Sequence, residues 1–331
     1  MTTTTPTPVL VAERAAAPLS VRLVTCSYSG DLEVCRMLCE SVDRFAPDEI
    51  GHTLFVPERD RPLFADLESS RRRIESQESL LPGWLWKVPL PGPSWRKRLR
   101  LPRRNVYLGP FGRPVRGWIA QQIMKIALAA RASSDVVVHV DSDSVFVRPL
   151  RAGDLQRDGR VRLYRNPQMV ELASHRLWHA AAGRLLGLPP SDFYGAEYID
   201  PLVVWRRSVA VALTERIAAV SGRDWRAALA LTPHFAEYVL YGVFADRVLG
   251  LEAAGLYPER RSLSHSRWAG AFADASEENV FVAALRPDQV ACLIQSTIAV
   301  TPTARRRVFA RLTALAALQD SGVGEAARAR A

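Results

Sequence analysis

Asp135-Val-Val-Val-His-Val140-Asp141-Ser-Asp143-Ser-Val-Phe-Val-Arg-Pro149 is the stretch on which the fold reading turns. A short run of β-branched residues bounded by polar ones predicts a strand buried on both faces, as in parallel sheets covered by helices. The run ends abruptly in two carboxylates separated by one serine. In open α/β sheets ligands gather at the carboxyl ends of strands, so this change from valine to aspartate reads as the edge of a site. Two carboxylates so close repel one another, and something cationic is expected between them. A hard divalent ion, Mg²⁺ or Mn²⁺, suits oxygen ligands and can bridge to a diphosphate. The plain alternative is that both aspartates only cap the next turn.

Working outward, Gly117 to Ile126 begins a helix whose apolar stripe is Ile119, Ile123, Ile126, Ala127 and Ala130. Near the start, Val21–Cys26 predicts a strand, and Ser27-Tyr-Ser-Gly-Asp31 a turn with Asp31 as the cap of a helix. Apolar residues at Leu32, Cys35, Leu38, Cys39, Val42 and Phe45 carry that helix, and His52–Val56 follows as a second strand. Strand, helix, strand predicts a parallel α/β sheet. Downstream, 161–164 and 202–205 read as strands, 262–268 and 289–295 as extended, and 168–186, 225–231 and 235–249 as helical. Residues 81–116, with prolines at 82, 89, 91, 93, 102, 110 and 114, read as a long irregular excursion.

Composition sets outer limits. The chain has 331 residues, 48% hydrophobic and 24% charged, which excludes a wholly disordered, collagenous or coiled-coil protein. The formal charge is +10, carried almost entirely by arginine, since Lys87, Lys97 and Lys125 are the only lysines. Such a surplus permits an anionic partner without naming one. The four cysteines, Cys26, Cys35, Cys39 and Cys292, show no metal-type spacing and read as buried thiols. Neither a signal peptide nor a membrane span is expected, so the reading is cytoplasmic.

Taken together, Asp31-Leu-x-x-Cys-x-x-Leu-Cys-x-Ser-Val-Asp-Arg-Phe45, Gly117-Trp-x-x-Gln-Gln-x-x-Lys125, Val140-Asp-Ser-Asp-x-x-Phe-Val-Arg-Pro149 and Phe235-Ala-Glu-Tyr-x-x-Tyr-Gly242 give the chain a resemblance. It resembles GT-A glycosyltransferases, and in particular a bacterial glycosyltransferase-like family of unknown function. The resemblance implies an α/β fold: a GT-A-like, Rossmann-like, mainly parallel sheet flanked by helices in one composite domain. It divides the chain into a disordered tail (1–19), a catalytic domain (20–300, with a nucleotide-binding half to 150 and an acceptor half from 151), and a C-terminal helix or tail (301–331).

It also implies site residues. Thr25, Cys26, Ser27 and Asp31 would line the pocket of a UDP- or GDP-linked sugar. Asp141 and Asp143 would hold Mn²⁺ or Mg²⁺, with His265 as third ligand. Lys125, with Gln121 and Gln122, would meet phosphate or sugar, and Gln295-Ser296 could reach the diphosphate. An inverting transferase also needs a carboxylate base near the acceptor hydroxyl. Glu237, Asp200, Glu197 and Asp192 are the candidates. The acceptor is unknown, and an anionic one fits the charge. The run Arg96-Lys-Arg-Leu-Arg-Leu-Pro-Arg-Arg104 places six cations in nine residues and suits an anionic acceptor or membrane surface. No nucleic-acid-binding pattern accompanies it, so nucleic acid is not an expected partner.

Two rival readings come from other classes. Asp141-Ser-Asp-Ser-Val145 fits the pattern of haloacid-dehalogenase-like phosphatases, in which the first aspartate is a nucleophile and the second an acid/base. That fold normally needs a later lysine and a later acidic pair, but no lysine follows Lys125 and no adjacent Asp-Asp occurs downstream. The other rival is a non-catalytic basic binding protein on a GT-A-like scaffold.

Overall fold

A computed structural model describes residues 19–89, 105–168, 170 and 172–328. The expected tail, up to residue 18, and the basic run 96–104 lie outside the described residues.

The central sheet has five strands: β1 (Val21–Cys26), β2 (Gly51–Val56), β3 (Arg72–Ser76), β4 (Val136–Val140) and β7 (Leu202–Arg206). Their spatial order is β7-β4-β1-β2-β3. The pairs β4–β1, β1–β2 and β2–β3 are parallel. The edge strand β7 runs antiparallel to β4, with Leu202 opposite Val140. This is the expected α/β class with a mainly parallel sheet. β4 is buried along its whole length, because it lies between β1 and β7 with helices on both faces.

The connection from β1 to β2 is α1 (Leu32–Phe45), which buries Val34, Cys35, Met37, Leu38, Cys39 and Val42. The helix preceding β4 is α2 (Gly117–Arg131), and its buried positions include Gln122 and Lys125 as well as Ile119, Ile123, Ile126 and Ala127 of the apolar stripe. An antiparallel strand at the sheet edge has a positional consequence. β4 ends at Val140, opposite Leu202 where β7 begins, so the loop carrying Asp200 is brought to the same edge as the aspartate pair.

Several smaller elements surround this frame. β5 (Ser144–Phe146) pairs antiparallel with β10 (Ala291–Ile294), which runs parallel to β9 (Ser264–Arg267). β6 (Arg160–Tyr164) pairs with β8 (Leu256–Glu259). The helices α3 (Ala173–Leu186), α4 (Arg207–Ser221) and α5 (Glu237–Val243) pack over the second half of the molecule. The helical stretch 235–249 is not one α-helix, since α5 passes at Phe244 into a π-helical turn through Leu249. The C-terminal helix α7 (Pro302–Arg328) follows α6 (Ala275–Ala283). It is a packed element: Val308, Phe309, Leu312 and Ala316 are buried with Met37, Val145 and Phe281. In the proline-rich excursion, Trp86–Lys87, Val106–Leu108 and Val115–Arg116 form a small antiparallel sheet. All four cysteines are free thiols, and Cys35, Cys39 and Cys292 are buried. Among the described residues no helix is long and apolar enough to cross a membrane.

Candidate active site

Lys125 is the hub of the carboxyl edge. Its side chain leans back toward the start of α2, as helical side chains do, and so reaches the ends of the strands. The ammonium Nζ lies 3.1 Å from Glu237 Oε1 and 3.4 Å from Asp141 Oδ1. It also meets the Tyr238 hydroxyl at 2.7 Å and sits 4.4 Å from the centroid of that ring. Lys125 is 8% exposed and Glu237 3%. A buried ammonium needs this company, and burial opposes its charge first. Asp141, Tyr238 and Glu237 more than offset that and hold its pKa well above the ordinary lysine value. Burial raises the Glu237 carboxyl, and Lys125 pulls it back down. One helix turn before Lys125, Gln122 accepts the backbone N–H of Glu237 through Oε1 at 3.3 Å. α2 and α5 are thus locked together by a glutamine and an ion pair.

On the other side of Asp141 lies Asp143, nearly buried. Its Oδ2 accepts the backbone N–H of Ser296 at 2.6 Å. Burial and the neighbouring Asp141 raise its pKa to about 7. The serine between them donates its hydroxyl to Asp31 Oδ2 at 3.2 Å. Asp31 therefore caps nothing with its side chain; its carboxylate joins the acidic edge instead. Burial raises the pKa of Asp31 as well. Opposite stands Arg305, 2% exposed. Its guanidinium donates to the carbonyls of Gln295 (2.8 Å), Ile298 (3.2 Å) and Val300 (3.2 Å), and to that of Ile294. That fixes the 294–300 loop whose Ser296 N–H holds Asp143. Arg305 also supplies positive potential to Asp143 and Asp31.

Asp200, at the start of β7, is buried and accepts the Ser262 hydroxyl at 2.5 Å. Burial raises it to about 7; Ser262 and Arg162 pull it down, and Asp141 pushes it up. A carboxyl balanced near neutrality is a suitable acid/base group.

The remaining expected residues divide. Cys26 ends β1 within the field of Lys125, Asp141 and Glu237, and burial pushes its thiol up to about 11. Ser27 is buried beside it with its hydroxyl unpartnered. Gln295 adjoins Asp143 through Ser296. The Thr25 hydroxyl lies 3.1 Å from His52 Nε2, and Arg72 donates to His52 Nδ1 at 3.2 Å. This buried chain occupies the threonine side chain in tying β1, β2 and β3 together. His265 is not brought to the aspartates: its Nε2 lies 2.8 Å from the carbonyl of Phe281, and its ring stacks on Phe281. Among the described residues no group of three or more His, Cys, Asp or Glu is placed to hold a metal. Asp192 pairs with Arg176 at the surface, 2.6 Å away. Glu197 lies between His175 (3.1 Å) and His179 (3.6 Å), engaged away from Lys125.

Residues 13–317 match the family described as "Family of unknown function (DUF6492)". The chain belongs to DUF6492. No curated protein matches the sequence. Among solved structures, this DUF6492 chain is similar to the apo form of mouse xyloside xylosyltransferase 1, at 10% identity and a TM-score of 0.45, over 85% of this chain and 99% of that one.

Three residues of the DUF6492 edge escaped the sequence reading. Tyr238 stood in the Phe235-Ala-Glu-Tyr238 motif, but a tyrosine in an apolar run reads as core. Ser142 was hidden between the two aspartates. Arg305 was masked by the surrounding arginines of 305–307, and only its burial distinguishes it.

Proposed function

We propose that this protein is a glycosyltransferase that moves a sugar from a nucleotide-diphosphate sugar to an acceptor hydroxyl. One observation carries the reading. Asp141 and Asp143 stand just beyond the carboxyl end of the buried strand β4 of the central sheet, where Lys125, Glu237, Tyr238, Asp31 and Asp200 gather around them.

Donor chemistry needs a place for a diphosphate that gathers charge as the glycosidic bond breaks. The aspartate pair fits a divalent cation. Asp143 is buried beside Asp141 and pushed up to about 7, which is the signature of carboxylates short of positive charge. Two protein oxygens with the rest from phosphate and water is the usual habit of Mg²⁺ at nucleotide sites. Asp141 and Asp143 would therefore hold Mn²⁺ or Mg²⁺, without His265. When bound, the ion would neutralise the leaving diphosphate.

The chain's own residues do the remainder. Cys26, at the end of β1, and Ser27 and Asp31 just after it border the nucleotide. Lys125 holds Asp141 and Glu237 in place and offers its ammonium to phosphate. Asp200 takes the proton of the acceptor hydroxyl in an inverting reaction. Glu237, with its charge already neutralised by Lys125, positions that lysine. The 3.4 Å contact of Lys125 with Asp141 also favours, among the alternatives, a phosphatase with Asp141 as nucleophile. The two readings differ in one assay. Thermal-shift measurement with UDP, GDP and other nucleotides, with and without Mn²⁺, gives a metal-dependent shift if the transferase reading holds. No such shift, together with phosphate-ester hydrolysis abolished in Asp141→Asn, would replace it with the phosphatase.

A further inference from the structure

A groove runs along one face of the outer strands β1, β2 and β3. It occupies about 250 Å³ between the outer strands and the last turn of α2, lined by Arg22, Thr53, Arg73, Glu75, Ser79 and Arg131 over an apolar floor of Val24, Phe55, Leu80 and Leu128. The strand register explains the convergence. Arg73 lies opposite Thr53, and Thr53 opposite Val24, so Arg22 and Val24, Thr53 and Phe55, and Arg73 and Glu75 share one face. The groove reaches Phe55, which lies in register with Cys26, while Arg22, four residues before Cys26, is roughly 13 Å along the strand from the candidate active site.

Arg22 donates to the Thr53 hydroxyl at 3.3 Å and Arg131 to the Ser79 carbonyl at 2.8 Å. Among the described residues none of Arg22, Arg73 and Arg131 has a carboxylate within ion-pairing distance, although most arginines around them do. Three guanidinium groups against Glu75 leave two positive charges facing an open groove. A phosphate monoester carries close to two negative charges at neutral pH and accepts the paired hydrogen bonds that guanidinium groups offer.

We propose that this groove is a binding site for a phosphate monoester whose organic part rests on the Val24, Phe55, Leu80 and Leu128 floor, separate from the site of transfer. The phosphate engages Arg73, Arg131 and Arg22. The ester can be a free metabolite or a lipid headgroup, since both present the same group.

Calorimetry on the full chain in EDTA tests this, with inorganic phosphate, phenyl phosphate and vesicles containing phosphatidic acid as separate probes, at matched ionic strength. EDTA keeps divalent cations off the aspartate pair. Arg73 and Arg131 are exposed, so Arg73→Glu/Arg131→Glu retains the fold, which its melting curve verifies. Phenyl phosphate is expected to bind with a Kd below about 1 mM, more tightly than inorganic phosphate, and at least tenfold more weakly to the double variant. Vesicle binding lost in that variant, without phenyl phosphate binding, identifies the lipid form. Lys125→Met retains the interaction. The proposal is overturned if no probe binds, if the double variant binds as wild type does, or if Lys125→Met abolishes binding while remaining folded. A metal-dependent nucleotide shift is independent of all these outcomes, so the two sites fail or stand separately.

Discussion

Replacing Asp143 by asparagine should make the protein more stable at pH 8, and the gain should vanish in acid. The carboxyl is 9% exposed, and burial together with Asp141 lifts it from 3.8 to about 7. In the unfolded chain it ionises near 3.8. Between these values the native state holds a proton that the unfolded state has released, so unfolding stability falls as pH rises. The stabilising contribution of the protonated form is fully present below pH 3.8 and lost above about 7. At 1.36 kcal/mol per pH unit the interval sets a ceiling of about 4 kcal/mol. Asp141 and Asp31 share the repulsion, so about 2–4 kcal/mol is the expected relief. Asparagine keeps an oxygen for the Ser296 N–H, so the loop stays anchored. Urea denaturation in EDTA at pH 5 to 8 measures this. The variant should gain on wild type from pH 5 to about 7 and hold that gain to pH 8. Parallel curves would refute the reasoning, because they would mean that no charge is confined at Asp143.

Lys125→Met should cost about 3–5 kcal/mol, since it strands Glu237 as an unpaired buried charge, and adding Glu237→Gln should recover much of it; a double-mutant cycle in urea checks both, and additive losses would show that the ion pair is not coupled. Asp200→Asn should lower transfer by about 10²–10⁴-fold while leaving nucleotide affinity unchanged. In wild type the same carboxyl, raised to about 7, should give the rate profile a rising limb near neutrality, which initial rates from pH 5.5 to 8.5 would reveal.

The parts of this molecule legible in the sequence are those with a strong period. β4 and its two aspartates, α1 and α2 all lie where the pattern of valines and leucines places them. β3 was not legible: Arg72–Ser76 is mostly polar, with Ile74 its only apolar buried residue. It exists because β2 offers an open edge and because Arg72 reaches His52 and Asp43 beneath it. The antiparallel direction of β7 was equally hidden, since strand direction depends on the path of the connection and not on local composition.

The candidate site shows the same division. A carboxylate at a strand end announces itself, and Lys125 stood out because lysine is rare here. Asp31 looked like a helix cap, and only the fold brings it to Ser142, more than a hundred residues away. His265 is a lone histidine among serines, and nothing local indicates that Phe281 would claim its ring. Long-range pairing decides both cases, and periodicity carries no information about it.

The most direct test is a crystal soaked with Mn²⁺ and UDP or GDP, followed by an anomalous difference map at the manganese edge. A peak between Asp141 and Asp143, with the nucleotide diphosphate joined to it and the base beside Cys26 and Ser27, is the predicted result. Nucleotide bound elsewhere, or manganese that avoids the aspartate pair, would contradict the account.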